Sequence, residues 1–408
     1  MSRVVRTLVA ENWRVEAEGK LYRPPRAFSL AVTSEIDWFD LHGTVDFGDG
    51  VSASLPALLA ALKQGEPTVV LGDGTLGMLP EEWLRRCGLL AGLGTPQGEK
   101  LRFSRGQVGF IDALLAAEPA STCDETFSRA REEWQRFEKV APAREPPGFT
   151  GTLRGYQREG LGWLLFLQRC GFGGCLADDM GLGKTVQVLA LLAGRGEERG
   201  PREKSGDRTP SLVVAPRSVV FNWKRETARF APGLRVLDHT GHGRVREVKG
   251  FAGYDLVFST YGTLRSDIAL LQEVVFDYVI LDESQAIKNA QTASAKAARL
   301  LRGQHRLALS GTPIENHLGE LWSLLEFLNP GLAGSASIFA ALADRSGTTG
   351  PGGPAALPKQ EATTAVPEVE SRRLLSRALR PLILRRTKAQ VASDLPAKVE
   401  QTLYCELE

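Results

Sequence analysis

The stretch Leu176-Ala-Asp-Asp-Met-Gly-Leu-Gly-Lys-Thr-Val186 decides the fold of this chain. A short apolar run precedes it, and the helix-forming run Thr185-Val-Gln-Val-Leu-Ala-Leu-Leu192 follows the glycines. Loops that bind phosphate between a strand and a helix follow the pattern Gly-x-x-x-x-Gly-Lys-[Ser/Thr]. Gly183-Lys184-Thr185 matches the end of this pattern, whereas Asp178 stands in place of the first glycine. We therefore predict a phosphate-binding loop in a strand–loop–helix unit.

The plainer alternative is a glycine-rich turn that contains a lysine by chance, since the chain has 43 glycines. The strand before the loop and the helix after it favour the phosphate loop. Gly181 and Gly183 allow the backbone to turn its N–H groups toward a phosphate, and the helix start adds the positive end of its dipole. Lys184 is then placed to reach the β- and γ-phosphates, and the Thr185 hydroxyl to bind Mg²⁺.

The central region alternates short apolar runs with helical stretches. The runs are nearly continuous in hydrophobicity, as strands buried on both faces are; they span residues 174–177, 212–216, 256–260, 278–282 and 307–311. Strands and helices in alternation predict a parallel α/β sheet. Ligands of such sheets bind beyond the carboxyl ends of the strands, which is where these runs end in small or polar residues.

Another of these runs, Phe276-Asp-Tyr-Val-Ile-Leu-Asp282-Glu283, ends in two carboxylates. A Mg²⁺ site opposite a phosphate loop requires such an acidic strand end. Asp282 is placed to hold the ion, usually through water, and Glu283 to orient and deprotonate an attacking water. Chance alone produces strands that end in Asp-Glu, but its position about 100 residues after the phosphate loop favours the catalytic interpretation.

The run that ends at Ser310-Gly311-Thr312 has hydroxyl groups at its carboxyl end. These hydroxyls are suited to sense the γ-phosphate. A simple strand-to-helix turn explains them equally well when the motif is taken by itself.

Composition excludes several classes of protein and leaves others open. The chain has 408 residues and 50 basic against 48 acidic side chains, so its net charge of +2 indicates no partner. Its five cysteines lack Cys-x-x-Cys pairing, which is typical of reduced thiols in a cytosolic protein. No run approaches the roughly 20 apolar residues of a membrane span, and no signal peptide is evident. We therefore expect a soluble cytoplasmic protein without membrane contact.

Residues 1–148 differ in pattern from the remainder. Short strand-like runs at 28–33 and 38–42 are separated by turn signals such as Phe47-Gly-Asp-Gly-Val. Helical patterns follow at 55–62, 81–93 and 110–117, so this part is predicted to be a small α+β domain. Residues 141–149 read as a linker. The stretches 197–210 and 344–371 have compositions of a surface loop and a disordered segment.

These motifs together resemble those of the Swi/Snf-type DNA translocases of helicase superfamily two. The phosphate loop, Asp282-Glu-Ser-Gln-Ala-Ile-Lys-Asn289 and the long block Ser310–Gly331 carry the resemblance, which is densest over 150–331. Leu153-Arg-Gly-Tyr-Gln157, Val213–Trp223, Ser259–Thr263 and Leu384-Arg-Arg-Thr-Lys388 resemble further family blocks. The N-terminal part is similar, more weakly, to an accessory domain that precedes the motor in bacterial members.

The resemblance implies a RecA-like parallel sheet flanked by helices, preceded by the smaller α+β accessory domain. The implied divisions are an accessory domain over 1–148, an ATP-binding lobe over 149–331, a flexible segment over 332–373 and a bridging segment over 374–408. It also implies a bacterial, nucleoid-associated protein that binds ATP, Mg²⁺ and duplex DNA, with a protein–DNA complex as remodelling target.

The resemblance assigns roles to individual residues. Lys184, Asp282 and Glu283 would be catalytic, and Thr185 and Asp282 would bind the metal. Gln157 would bond the edge of adenine. The residues expected to contact the nucleotide are Gln157, Asp178, Asp179, Met180, Gly181, Leu182, Gly183, Lys184 and Thr185. The residues expected to contact the DNA backbone are Arg217, Ser218, Asn222, Trp223, Thr260 and Tyr261.

The chain departs from the family pattern in two places. Ser284 follows the Asp-Glu pair where the family often has alanine, a change too small to disturb metal or water. Family members have a second RecA-like lobe whose arginines complete the ATP site, and this sequence stops at Glu408, where that lobe would begin. Arginine fingers add roughly 10³–10⁵ in rate. The expectation is therefore that these 408 residues alone bind ATP weakly and hydrolyse it very poorly.

Two hypotheses from different classes remain open. The first is an ATP-dependent DNA translocase that remodels protein–DNA complexes, without separating the strands. The second is a catalytically silent fragment that holds nucleotide or DNA. A metabolic phosphoryl-transfer enzyme is disfavoured, because it would need a substrate pocket in place of the Asn222-Trp223 and Gly311-Thr-Pro blocks.

Overall fold

A computed structural model shows how the chain folds. The residues that it describes are 8, 13–17, 19–80, 83–84, 87–88, 91–118, 120–198, 209–311, 318–334 and 373–391. Most of the segments predicted to be flexible lie outside these ranges, including 199–208 and 335–372. Thr312 and the residues after 391, Cys405 among them, also lie outside.

Two sheets and three α-helices have their bounds within the described residues of the N-terminal part. The strands are β1 (Val15–Ala17), β2 (Lys20–Arg23), β3 (Ala27–Ser34), β4 (Trp38–Asp46), β5 (Ser52–Ser54), β6 (Thr68–Val70), β7 (Leu76–Met78), β8 (Thr95–Gln97), β9 (Lys100–Ser104) and β10 (Thr122–Cys123). One sheet has the order β1-β2-β7-β6, and the other has β10-β3-β4-β9-β8 with β5 beside β4. The helices are α1 (Leu55–Gln64), α2 (Val108–Ala116) and α3 (Glu125–Gln135).

Local sequence explains these elements. In β4, Phe39 and Leu41 point into the core, and β4 pairs antiparallel with both β3 and β9. The predicted turn before β5 is present, with Gly48, Asp49 and Gly50 all at positive φ. Helix α1 has proline in its first turn and ends at Gly65 in the left-handed conformation, as helices commonly do. This α+β arrangement follows the sequence prediction.

The central residues form one seven-stranded sheet in which all pairings are parallel. Its strands are β11 (Gly174–Leu176), β12 (Ser211–Ala215), β13 (Val236–Asp238), β14 (Leu256–Thr260), β15 (Val275–Leu281), β16 (Arg302–Leu309) and β17 (Ile383–Leu384). Their order is β13-β14-β12-β15-β16-β11-β17. The five apolar runs in the sequence correspond to β11, β12, β14, β15 and β16, so the prediction of a parallel sheet is confirmed.

Helices cover the sheet and explain why its strands are apolar throughout. They are α4 (Gly155–Cys170), α5 (Lys184–Glu198), α6 (Arg217–Phe230), α7 (Tyr261–Leu271), α8 (Ala293–Leu300), α9 (Leu318–Leu328) and α10 (Lys388–Val391). All five residues of β12 are buried, as expected of a central strand with helices on both faces. No helix of the described residues is long and apolar enough to cross a bilayer.

Two strands of the central sheet were not predicted from the sequence. Strand β13 is a three-residue edge strand whose side chains are only half-buried or exposed, so it lacks the apolar signature of the others. Strand β17 has two residues and pairs with β11, which lies more than 200 residues earlier in the chain. Strands of three and two residues are too short to show the hydrophobic pattern from which a strand is predicted.

The segment 373–391, here called the strap, joins the N-terminal elements to the phosphate loop. It begins with a helical stretch, where the carbonyl oxygen of Ala378 lies so near Gly109 of α2 that an added Cβ there would be 2.8 Å away. It then passes α4, where Trp163 Nε1 donates to the Pro381 carbonyl (2.8 Å), and continues as β17. A second link runs from Gln107 Nε2 to the carbonyl of Leu332 (3.0 Å). The predicted division at 148/149 therefore separates two units in direct contact, and it stays a prediction.

Candidate functional site

The phosphate loop connects β11 to α5 at the carboxyl edge of the sheet. Gly181 (φ 87°) and Gly183 (φ 77°) both adopt the left-handed region, which residues with a Cβ rarely enter. A Cβ on Gly183 would lie 2.5 Å from Nε2 of Gln157. Both glycines are thus required by the path of the loop, and Gly183 also by the close approach of α4.

Lys184 and Thr185 begin α5, so they lie at the positive end of its dipole. The Lys184 ammonium turns back over the loop and donates to the carbonyl of Asp178 (2.7 Å) and, more weakly, to that of Asp179 (3.5 Å). The ammonium therefore lies inside the curve of the loop, where a bound oxyanion would compete with these two carbonyl groups for it.

Gln157 packs beneath the loop and is mostly buried. Its Oε1 accepts from the Arg154 amide (2.9 Å), and its Nε2 donates to the Leu182 carbonyl (3.1 Å). A primary amide has two N–H donors and two lone pairs, so one of each remains after these two bonds. The remaining N–H donor and acceptor lone pair are what the edge of adenine requires. The predicted base contact stays a proposal.

The two aspartates of the loop do not present their carboxylates to a phosphate. Asp178 is fully buried and paired with Arg386 of the strap (Nη2 to Oδ2, 2.5 Å). Asp179 Oδ2 accepts from the Lys388 amide (2.9 Å). Their predicted nucleotide contacts are therefore restricted to the backbone. In the same loop Leu182 is buried, whereas Met180 is exposed.

The acidic strand end lies on the same edge of the sheet. Asp282 is 7% exposed, and its carboxylate accepts from Trp223 Nε1 (2.7 Å) and from the Glu283 amide (2.8 Å). Burial raises the pKa of the Asp282 carboxyl above its usual value, while these hydrogen bonds and the charge of Lys184 oppose the rise. Lys184 and Asp282 thus follow strands of the same sheet at the same edge, and their predicted joint role stays a prediction.

Glu283 has an unusual backbone for a residue with a side chain. Its φ of 50° and ψ of 56° place it in the left-handed region, one of two non-glycine residues at positive φ among those described. Strained conformations of this kind concentrate at functional sites. The turn leaves the Glu283 carboxylate half-exposed beyond the strand end, with a hydrogen bond from Gln285 Nε2 (2.8 Å).

The end of β16 contacts the phosphate loop. Ser310 is buried and its amide donates to the Leu176 carbonyl (3.2 Å). A Cβ on Gly311 would lie 2.8 Å from Cγ of Met180, so a side chain here would displace the exposed Met180 side chain. The structure thus places the Ser310-Gly311 motif against the loop, and Thr312 lies outside the described residues.

A second site lies at the carboxyl ends of β12 and β14. It is a cleft of about 550 Å³ lined by residues that are mostly polar or basic: Pro216, Arg217, Gly241, His242, Arg244, Thr260, Tyr261, Gly262, Thr263, Arg265 and Ser266. Arg217 and Arg265 are exposed and form no ion pair with the described residues. Arg244 is held by Asp267 of α7, which in turn contacts the buried His239 (3.2 Å). The cleft therefore presents free positive charge.

Three of the predicted DNA contacts, Ser218, Asn222 and Trp223, are not among the residues that line this cleft. Trp223 is fully buried and supports Asp282, so the structure assigns it to the core instead of to DNA. The Tyr261 hydroxyl donates to the carbonyl of Asp282 (2.8 Å), although its ring lines the cleft. Asn222 bonds Glu226 and Arg225 on its own helix. Arg217, Ser218 and Thr260 remain accessible.

Sequence reasoning missed two groups, and each had a signal. Arg265 follows the end of β14, a strand end that was predicted to contact DNA. Arg244 follows β13, a strand that was not predicted. For the ion pair between Asp178 and Arg386 the sequence signals only that a partner is needed, because an aspartate replaces the first glycine of the loop and a buried carboxylate requires a cation. It does not identify Arg386 as that partner.

Comparisons with known proteins agree with this geometry. The profile of the SNF2-related domain family matches residues 156–408. The putative ATP-dependent helicase/translocase YwqA of Bacillus subtilis is 41% identical over 268 residues, which cover 64% of this chain and 26% of YwqA. The TATA-binding protein-associated factor MOT1 of Saccharomyces cerevisiae is 36% identical over 276 residues, covering 66% and 14%. The chain therefore matches about a quarter of the length of YwqA and a smaller share of MOT1.

A solved structure, the SWI2/SNF2 ATPase core of Sulfolobus solfataricus in complex with dsDNA, is similar in fold and sequence. It aligns with a TM-score of 0.51 and 39% identity, covering 64% of this chain and 51% of that one. The family profile covers more than half of the present chain, including the phosphate loop, the Asp282-Glu283 pair and the strap. On this evidence the chain belongs to the SNF2-related domain family.

Proposed function

We propose that this chain is the nucleotide-binding lobe of an ATP-dependent translocase that acts on duplex DNA. The observation that carries the proposal is the meeting, at one edge of a parallel sheet, of a glycine-rich loop containing Lys184 with the buried Asp282 and the strained Glu283. The names of the relatives and the solved dsDNA complex support the same function.

In the proposed reaction the chain binds and polarises the phosphates of ATP. The loop amides and Lys184 hold the β- and γ-phosphates and stabilise charge that develops on the transferred group. Glu283, whose carboxylate is half-exposed beyond the strand, orients the attacking water and accepts its proton. Gln157 offers its remaining donor and acceptor to the adenine edge.

The residues at the site fit a magnesium ion. Mg²⁺ prefers oxygen ligands and is usually bound by one or two carboxylates together with substrate phosphates. Asp282 supplies a carboxylate whose charge is costly in its buried position, as its raised pKa reflects, so a cation there offsets that cost. Thr185 and Asp282 would hold the ion, which neutralises charge on the phosphate oxygens.

The cleft at the ends of β12 and β14 is the proposed contact for the DNA backbone. Arg217 and Arg265 are exposed there without ion-pair partners among the described residues, and Thr260 and Ser218 add hydroxyl donors nearby. Arginine and hydroxyl donors of this kind bind phosphates and carry no sequence information themselves. The contact is therefore weakly sequence-specific. A protein–DNA complex as the remodelling target is a further proposal, consistent with the name of MOT1.

Calorimetric titration of the 408-residue chain with Mg·ATP tests the nucleotide site. We expect saturable binding that Lys184→Ala weakens about tenfold or more, because a charge-assisted contact to the phosphates is lost. Lys63→Ala removes an exposed lysine of α1 and serves as the matched control. Absence of ATP binding in the wild-type chain, or equal binding by wild type and Lys184→Ala, would refute the proposal.

A further inference from the structure

Arg386 occupies an unusual position for an arginine. It comes from the strap, more than 200 residues after the phosphate loop, yet only 9% of its surface is exposed. Its Nε and Nη2 form two parallel bonds to the Asp178 carboxylate (3.0 and 2.5 Å). Such bidentate pairs are strong and geometrically specific.

The same guanidinium also bonds the two helices that flank the phosphate loop, α4 and α5. It donates to the Tyr156 carbonyl, directly before Gln157 on α4. Its Nη2 also donates to Oε1 of Gln187 on α5 (3.1 Å). A Cβ on Gly160 would lie 1.8 Å from that Gln187 oxygen, so α4 approaches closely enough for all three segments to share the arginine.

The backbone of the strap continues this attachment on the loop itself. The Ala177 amide donates to the Leu384 carbonyl (2.7 Å), and the Asp179 amide donates to the Arg386 carbonyl (3.0 Å). Asp179 in return accepts from the Lys388 amide. The first half of the phosphate loop is therefore hydrogen-bonded to the strap along its backbone.

This arrangement explains why Asp178 replaces the first glycine of the general loop pattern. A buried carboxylate without a partner is unfavourable, and removing one member of a buried pair is strongly destabilising. The side chain of Asp178 is fully buried and directed away from the inner curve of the loop toward Arg386. The Asp178 carboxylate thus binds the strap, which restricts any nucleotide contact of this residue to its backbone.

We propose that Arg386 is a positioning residue of the nucleotide site, which holds the phosphate loop in its binding conformation through Asp178. This inference rests on the proposed ATP site. The segment 383–388 is then part of that site although it makes no contact with the phosphates, and it transmits to the loop any displacement of the strap on α2 and α4. An attachment that only stabilised the fold would not transmit a displacement of the strap to the phosphate loop.

Two measurements on the 408-residue chain separate the positioning role from a merely structural one. The first is the affinity for Mg·ATP of Arg386→Gln, Asp178→Asn and the double variant, compared as a double-mutant cycle. The second is backbone hydrogen exchange of residues 178–185 without nucleotide, compared with exchange in α1. The neutral double variant leaves no unpaired buried charge, so it folds even where a single variant does not.

We expect each single variant to weaken ATP binding about tenfold, and the double variant to be no weaker than Arg386→Gln, since the two residues act as one unit. Exchange should accelerate in the loop and not in α1. Arg386→Lys should restore only part of the affinity, because lysine keeps the charge without the bidentate geometry. The control Arg158→Gln breaks an arginine–carboxylate pair between Arg158 of α4 and Glu145, which precedes that helix, and should change neither measurement.

Wild-type ATP affinity in the folded double variant would overturn the inference, as would exchange that rises evenly across the chain. If the wild-type chain binds no ATP, the proposed function fails, and the exchange comparison still decides whether Arg386 positions the loop. The two failures are therefore distinguishable.

Discussion

Asp282, the proposed magnesium ligand, is a carboxyl whose charge is opposed by its buried surroundings. Its folded-state pKa is raised by burial, so the folded chain binds more protons than the unfolded chain between the two pKa values. Stability from this group therefore falls as pH rises through that window. Asp282→Asn removes this dependence while keeping an acceptor for Trp223.

We expect the melting temperature of Asp282→Asn, relative to wild type, to increase as pH rises from about 4 to about 7. Added Mg·ATP should raise the melting temperature of the wild type only. Scanning calorimetry at several pH values measures both, with Asp37→Asn at an exposed position as control. A difference that shrinks with rising pH would contradict the burial argument.

Gly183 is the loop position with the least tolerance for a side chain. Its φ is 77°, and a Cβ there would lie 2.5 Å from Gln157 Nε2. We expect Gly183→Ala to cost about 1–2 kcal/mol for the backbone alone and to abolish measurable ATP binding. Gly155→Ala, with open space around the added Cβ, should leave the free energy of unfolding and the ATP affinity unchanged. Denaturant unfolding and ATP titration decide the matter, and an unchanged affinity in Gly183→Ala would be inconsistent with this geometry.

At the scale of elements, the sequence predicted what local pattern can encode. Strands buried on both faces are continuous apolar runs, so five of the seven central strands were recognisable, together with the loop and acidic residues that follow two of them. The short strands β13 and β17 depend on contacts distant in sequence. The partner of Asp178 was not predicted for the same reason, since nothing local to residue 178 indicates residue 386.

Helix α6 shows a different limit, where a signal was present but was not used. Val220, Trp223 and Thr227 recur at helical spacing and are all buried, so the helical period alone places Trp223 on the inner face. Arg217, Ser218 and Phe221 fall on the outer face and are exposed. Motif resemblance assigns a whole block to DNA, whereas periodicity divides that block into a core face and a contact face.

The whole molecule joins two chemical sites along one edge of a sheet. The nucleotide site follows β11 and β15, and the basic cleft follows β12 and β14, with Tyr261 bordering both through its bond to the Asp282 carbonyl. The strap ties the first site to the N-terminal elements, where Arg380 lies over the ring of Phe137 (5.5 Å) and the Ala378 carbonyl lies against Gly109. The strap therefore links the first site, but not the basic cleft, to the N-terminal elements.

The basic cleft makes the proposed DNA contact testable through its dependence on salt. Each phosphate neutralised by a protein cation contributes about −0.9 to the slope of log affinity against log salt concentration. Arg217→Ala and Arg265→Ala should each reduce the magnitude of that slope by about 1, and by the same amount on two duplexes of unrelated sequence. Fluorescence anisotropy of labelled duplexes measures it, with Arg229→Ala, exposed at the far end of α6, as control. An unchanged slope in both variants would exclude the cleft as the DNA contact, and a loss confined to one duplex would contradict recognition through the backbone.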